Sequence, residues 1–323
     1  MNNCSIIIPH YNGEDILLRC LNSLIQYTEN NHEIIIVNNG SSDNSIEIVK
    51  KQFSQVKIIT NKTNLGYAGA CNIGVREAQN EYIIFLNNDT EVSKNWINPL
   101  INTLDDINVS SVQPKIKNLN HPDYFDYAGG SGGYMDIFCY PFCRGRIFKT
   151  VEKDRSQYES ETEIFWASGT AFATKKKIFI AAGMFDLNFF AHMEEIDYHW
   201  RCQMMGYKII ANPSSTIYHE GGKTLSYESS KKTYLNHRNS LITFFSNHNA
   251  ILILALFIPR IIMHFTSTIV DLLSLKINHA FAQIKAIYSV IFSIPHILKK
   301  RQLNRKIKKG NYHLYGIFKG SIV

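Results

Sequence analysis

The densest run of residues able to do chemistry is Phe189 to Arg201, which holds Glu194, Glu195 and Asp197 beside aromatic side chains. Carboxylates this close repel unless each has a use or a partner. On a helix, Glu194 and Asp197 are three apart and repel, whereas Asp197 and Arg201 are four apart and pair. That division leaves Glu195, with Glu194 beside it, as the general base that takes a proton from an attacking hydroxyl. Asp89 is the second candidate, because it follows the apolar run Ile83–Leu86, which should hold it rigidly at a strand end. A carboxylate there suits Mg²⁺ or Mn²⁺, which as a Lewis acid neutralises a departing diphosphate. The competing reading makes Asp89-Thr90-Glu91 the N-cap of a helix running to near Leu104. His219, between the turn Asn212–Ser215 and Gly221-Gly222, is either a second metal ligand on a mobile glycine-rich loop or an ordinary surface histidine.

A nucleotide needs a stacking face and short polar side chains. Tyr11 offers the face, and Asn38 to Asp43 offers groups that read a base edge. In Asn64 to Gly74 the glycines allow close backbone approach and open a helix toward phosphate or ribose. No GxGxxG occurs, which disfavours a dinucleotide fold.

These residues must be positioned by a sheet. Ser5–Ile8, Glu33–Val37, Val56–Thr60 and Tyr82–Leu86 are short β-branched runs, separated by amphipathic stretches. The first stretch places Ile16, Leu17, Cys20, Leu21 and Leu24 on one helical face; the second begins at the cap-like Ser42-Asp43 and aligns Ile46, Val49 and Phe53. Strand, helix, strand in short connections predicts parallel pairing with right-handed crossovers and a ligand beyond the strands' carboxyl ends. Asn, Gly, Ser and Asp at those ends also build ordinary turns.

A chain of 323 residues that is 45% hydrophobic and 19% charged has an ordinary packed core, so disorder is not expected. Six scattered cysteines without a CxxC pair argue against disulfides and structural zinc, and for reduced thiols in the cytoplasm. No basic region precedes Ile6–Ile8, so the first residues read as a strand and not as a signal peptide. Most of the net charge of +7 sits in seven cations between Lys299 and Lys309. The apolar run Ile251–Pro259 is too short to span a bilayer, and Arg260, His264 and Asp271 interrupt the helical stretch after it. The division expected is a catalytic domain over 1–246 and a basic, amphipathic helical region over 247–323. That region lies on anionic lipid headgroups or caps the core with a solvated tail. Nucleic-acid binding is disfavoured, since the charge is confined to one tail.

Together these residues resemble the inverting glycosyltransferases of family 2, and within them the rhamnosyltransferase-like branch. The matching segments are Ile6–Asn12, Ile34–Asp43, Asn64–Gly74, Phe85–Thr90, Ser168–Thr170, Gly183–Arg201 and Ile217–Gly222, in family order. The resemblance implies the GT-A fold, a mixed and mainly parallel α/β sheet flanked by helices. It implies that Pro9, Tyr11, Asn38, Asn39, Asn64, Gly66, Asn72 and Asn88 lie along the nucleotide. Asn88-Asp89 stands where the family has its DxD motif, His219 assists at the metal or diphosphate, and Glu195 occupies the base position. Arg144, Trp166, Ser168 and Gly169 are implied at donor sugar and acceptor; Arg144 and Arg146 face either phosphate or solvent. The implied partners are a nucleotide sugar (UDP- or dTDP-linked, dTDP-rhamnose among them), a divalent metal and a lipid-linked or oligosaccharide acceptor of cell-surface polysaccharide synthesis. The place is the cytoplasmic face of the inner or plasma membrane. Two departures stand out: Asn38 where the family usually has aspartate, and Glu194-Glu195 where Glu-Asp is common. A sugar nucleotidyltransferase is the alternative enzyme, although Pro9–Asn12 replaces its Gly-rich basic loop. A scaffold that lost activity through Asn38 and Glu195 is the non-catalytic alternative.

Overall fold

A computed structural model of the chain describes residues 2–221, 229–310 and 314–318; Gly222 of the expected loop lies outside the described residues. The first half runs β1 (Cys4–His10), α1 (Glu14–Tyr27), β2 (Glu33–Asn38), α2 (Ser45–Gln52), β3 (Lys57–Thr60), α3 (Gly66–Glu77), β4 (Tyr82–Leu86), β5 (Thr90–Val92), α4 (Ile97–Leu104) and β6 (Val109–Asn118). Short strands β7 (Gly133–Asp136), β8 (Pro141–Cys143), β9 (Arg146–Ile147) and β10 (Thr150–Val151) follow, then β11 (Thr162–Ile164), β12 (Ala171–Lys175) and α5 (Lys176–Ala181). The chain continues as α6 (Glu194–Met204), β13 (Lys208–His219), α7 (Ser230–Asn247), α8 (Ala250–Leu273), α9 (Ile277–Phe292), α10 (Ile294–Ile307) and β14 (Ile317–Phe318).

The central sheet is ordered β11-β13-β6-β12-β4-β1-β2-β3, with β5 on β13. Pairings β3-β2-β1-β4 and β6-β13 are parallel; β12 and β11 run antiparallel to their neighbours. Successive side chains of a strand point to opposite faces, so an apolar run feeds two cores. Ile6, Ile8, Ile34, Ile36, Ile84 and Leu86 pack with α1, α2 and α4. Ile7, Ile35, Val37, Ile83 and Phe85 pack with α3, α5 and α6. Both faces are therefore covered by helices, the condition under which parallel strands are stable.

Three expectations are corrected and one open choice, at Asp89, is decided. Helix α2 starts at Ser45 after Asn44, and the Asp43 carboxylate sits just before it, accepting Gly13 N–H at 2.7 Å and the Ser45 hydroxyl and N–H at 2.5 and 3.4 Å. Thr90–Val92 is a strand on β13 and the next helix begins at Ile97, so Asp89 caps no helix. His219 is the final residue of β13 and buried, since Asn212–Ser215 forms an irregularity inside that strand and not a turn before a loose loop. Lastly, Pro259 does not break the hydrophobic C-terminal stretch: α8 is continuous over 24 residues and is long and apolar enough to cross a membrane.

Candidate active site

The end of β4, the loop after β6, helix α3 and the start of α6 meet around the segment Ser168–Thr170. At the end of β4 the chain turns through Asn87-Asn88-Asp89, and Asn87 N–H donates to Thr170 C=O at 2.9 Å. On the other side of that segment, Gly169 lies against Glu195: a β-carbon on Gly169 would sit 3.7 Å from Glu195 Cδ. Tyr67 of α3 donates its hydroxyl to Gly169 C=O at 2.6 Å. Ser168 ties in the loop after β6 by donating to Ala128 C=O at 2.5 Å. Asp89 thus lies two residues beyond a hydrogen bond to Thr170, and Glu195 lies against Gly169 of the same segment.

Asp89 is buried, with Oδ1 3.1 Å from His219 Nε2, and the opposite ring nitrogen of His219 is 3.0 Å from Asp126 Oδ1. Burial favours neutral forms of both partners, but here the pairing wins: His219 is pushed up to about 10 by Asp126 and Asp89, and Asp89 is drawn below the usual carboxylate range by His219. Asp126, which the sequence reading assigned no role, is 1% exposed and fixes the ring orientation of His219. Its other oxygen accepts Ala128 N–H at 2.6 Å.

Asn88 is oriented by a relay. Its amide donates to His10 Nδ1 at 2.8 Å, and His10 Nε2 meets the Ser45 hydroxyl at 2.9 Å. Burial lowers His10 to about 4, so at neutral pH its Nδ1 lone pair accepts. The Asn88 carbonyl oxygen is thereby left for a ligand. Pro9, Tyr11 and Asn38 lie at the ends of β1 and β2; Tyr11 is 43% exposed and free to stack, while Asn38 is buried and caps Ser41 N–H at 2.9 Å. Asn39, by contrast, is committed internally: it donates to Asn64 Oδ1 and Gly66 C=O and accepts from Asn61 and Leu65. Asn39 and Asn64 therefore shape the loop that precedes α3. Asn72 likewise exchanges two hydrogen bonds with the Phe185 backbone and faces inward.

The start of α6 is built by strain. Phe190, His192 and Met193 all have positive φ (61°, 68° and 73°), a conformation that bulky residues rarely adopt. Asn239 of α7 holds them there, its amide within 3.0, 3.0 and 2.8 Å of the carbonyls of Phe189, Ala191 and His192. Gly66 is required opposite, since a β-carbon would fall 2.3 Å from Phe190 C=O. Glu194 and Glu195 then enter the first turn of α6 with one carboxylate oxygen each lacking a hydrogen-bond partner. Burial raises both carboxyls; Glu195 is brought to about 7, and Glu194 is raised further by Glu195.

Asp197 pairs with Arg201 at 3.0 Å, as the spacing predicts. It also takes Lys300 of α10 at 2.8 Å and Asn247 at 2.9 Å, and Lys300 reaches Asp186 at 2.7 Å. Arg301 donates to the carbonyls of Phe245 and His248. Two of the seven basic residues read as facing lipid are thus turned into the protein. Arg144 is half-buried over the Tyr158 ring and donates to Ser131 C=O, and Arg146 lies over Tyr127. Trp166 is buried and donates to Tyr134 C=O at 2.8 Å, closing the floor of this side.

The residues fit a divalent cation. Asp89 supplies a hard oxygen; His219, protonated between its two carboxylates, would offer Nε2 only after an ion displaced that proton, with Nδ1 still held by Asp126. Their 3.1 Å separation suits neighbouring ligands of one ion. Among the described residues no group of three or more His, Cys, Asp or Glu converges to hold a metal ion.

The family model described as Glycosyl transferase family 2 matches residues 5–195, more than half of the chain. The glycosyltransferase GlyG of Streptococcus pneumoniae serotype 4 is 31% identical over 143 residues, 43% of this chain and 45% of that protein. The poly(ribitol-phosphate) beta-glucosyltransferase of Bacillus spizizenii is 38% identical over 104 residues, 29% of this chain and 16% of that protein. The matches span less than half the length of these curated relatives. Among solved structures, GalNAc-T7 with UDP, GalNAc and Mn²⁺ superposes with a TM-score of 0.59 at 19% identity, covering 76% of this chain and 48% of that one. At that identity the likeness bears on the fold, which is GT-A.

Proposed function

The chain belongs to glycosyl transferase family 2, and from that premise we propose that it is an inverting, metal-dependent enzyme. It moves a sugar from a nucleotide diphosphate donor to a hydroxyl of a lipid-linked or oligosaccharide acceptor in cell-surface polysaccharide synthesis, at the cytoplasmic face of the membrane. A UDP- or dTDP-sugar, dTDP-rhamnose included, is the donor class. The observation that carries this reading is that two buried groups are tied to the one segment Ser168–Thr170: the Asp89–His219 couple, two residues beyond the Asn87–Thr170 hydrogen bond, and the Glu195 carboxylate against Gly169.

In this reading Tyr11 stacks on the base and Asn88 directs its carbonyl at the donor. Asp89 and His219 hold Mg²⁺ or Mn²⁺, which when bound stabilises the charge of the leaving diphosphate. Glu195 faces the acceptor hydroxyl and removes its proton as the oxygen attacks the anomeric carbon from the side opposite the diphosphate. Holding both reactants across one rigid segment replaces a bimolecular encounter with an oriented one. The GalNAc-T7 structure, with Mn²⁺ and UDP on the same fold, and the polysaccharide-building relatives support the donor, metal and pathway class.

The test is Glu195→Gln in the full-length chain. Donor affinity, read by calorimetry with Mn²⁺, is expected to stay near wild type while turnover falls by about 10²–10⁴. Turnover within a few-fold of wild type would remove Glu195 from the base role.

A further inference from the structure

We propose that the outer face of α8, continued on α9 and the start of α10, is an insertion surface for an anionic phospholipid bilayer, with α8 lying in the membrane plane and not crossing it. This deepens the proposed reaction, since a lipid-linked acceptor brings the enzyme to a membrane, but the lipid contact is measured without substrate and fails independently.

The carrying observation is an inverted helix. In α8 the buried residues are Arg260, His264 and Thr268, spaced by four along one stripe. The opposite face exposes Leu254 (82%), Ile258 (67%), Ile262 (59%) and Phe265 (48%). A water-soluble helix does the reverse, and an apolar face this continuous marks a contact with lipid or another protein. The polar stripe is turned onto partners inside the protein: Arg260 stacks on Tyr140 and donates to Ser240 at 2.8 Å, and Thr268 donates to Gln283 of α9 at 2.9 Å. His264 Nε2 lies 3.2 Å from Gln283 C=O. Neighbouring helices repeat the pattern, with Phe281, Tyr288 and Phe292 of α9 and Leu298 of α10 exposed.

Charge selects lipid as the occupant. From residue 229 to the last residue the only acid is Asp271, which accepts from Gln283 at 2.6 Å. Lys276, Lys299, Arg305 and Lys306 are exposed around the apolar helices. Apolar side chains ringed by cations without acids match anionic headgroups over acyl chains. A 24-residue helix is about 36 Å long and reaches across a bilayer. Crossing, however, would pull Arg260, His264 and Thr268 from their partners, while Lys300 of α10 keeps the following helices on α6.

The experiment is sedimentation of the full-length chain with phosphatidylcholine vesicles, with and without phosphatidylglycerol. Truncation is avoided because it would strip Lys300 from Asp197. Binding is expected with the anionic vesicles, weak with neutral ones, and lost in Ile258→Glu combined with Ile262→Glu, which should keep the wild-type melting temperature and wild-type turnover on a water-soluble acceptor. Single substitutions Leu254→Trp, Ile262→Trp and Leu273→Trp should be quenched by brominated lipids to one shallow depth; the native Trp96, Trp166 and Trp200 are buried. Quenching deepest at Ile262→Trp and absent at both ends would mean a spanning helix. No binding to anionic vesicles, or a dimer that Ile258→Glu dissociates, would replace lipid by solvent or by a second copy. Each of these results overturns the proposal.

Discussion

The two halves of the active site are built in opposite ways. The metal-side half consists of strand ends: Asn88-Asp89 after β4 and His219 closing β13, with Asp126 after β6 as the one outside support. Its geometry is inherited from the sheet. The base-side half is a strained turn at the start of α6, held by Asn239 of α7 and, one turn further along, by Lys300 of α10 under Asp197. Parts supplied by the fold persist through loop changes, whereas the position of Glu195 depends on helices far along the chain. The C-terminal helices therefore help to position the proposed base as well as forming a surface.

That contrast breaks most readily at Lys300. Lys300→Met leaves Asp186 and Asp197 short of a cation in a buried place, and loss of one partner of a buried pair costs about 3–5 kcal/mol. Urea unfolding of the full-length chain should show it, and Asp197→Asn added to Lys300→Met should recover part of the loss. Next in size, Asn239→Ala frees the Phe190–Met193 turn and leaves three carbonyls poorly satisfied, a cost of about 1–3 kcal/mol. Its signature is a lower kcat with unchanged Mn²⁺-dependent donor affinity; equal losses in both would mean the halves are not separable. Asp126→Asn is the mirror image: about 10–100-fold weaker Mn²⁺ binding by calorimetry, with the pH dependence of turnover unmoved.

The smallest effect is graded with pH. Burial brings Glu195 to about 7, and in the proposed role it acts only when deprotonated. kcat/KM should therefore fall about tenfold per pH unit below roughly 7 and level off above it, and this limb should be absent from Glu195→Gln.

How much of this was legible tracks the same division. Strands, their crossovers and the ends carrying Asn38, Asn88 and Asp89 were readable because β-branched runs and polar breaks are local signals. The Asp197–Arg201 pair was readable because helical spacing alone creates it. The competing reading of Asp89–Glu91 as a cap could not be dismissed from sequence, because β5 pairs with β13, more than a hundred residues away in sequence. Asp126, Asn239 and Lys300 carry no local mark: each acts across the fold on a distant backbone or charge. The basic segment shows the limit of counting charge, since Lys300 and Arg301 point inward while Lys299 and Arg305 do not. A helix with its polar stripe inside, as in α8, is invisible until its neighbours are in place.

The central claim is displacement at the anomeric carbon with Glu195 on the face opposite the diphosphate, and product stereochemistry tests it most directly. With the nucleotide sugar that stabilises the chain in the presence of Mn²⁺, NMR of the glycosylated acceptor should show an anomeric configuration inverted from the donor, with one nucleoside diphosphate released per sugar transferred. A retained configuration, or pyrophosphate released from a nucleoside triphosphate instead, would contradict it.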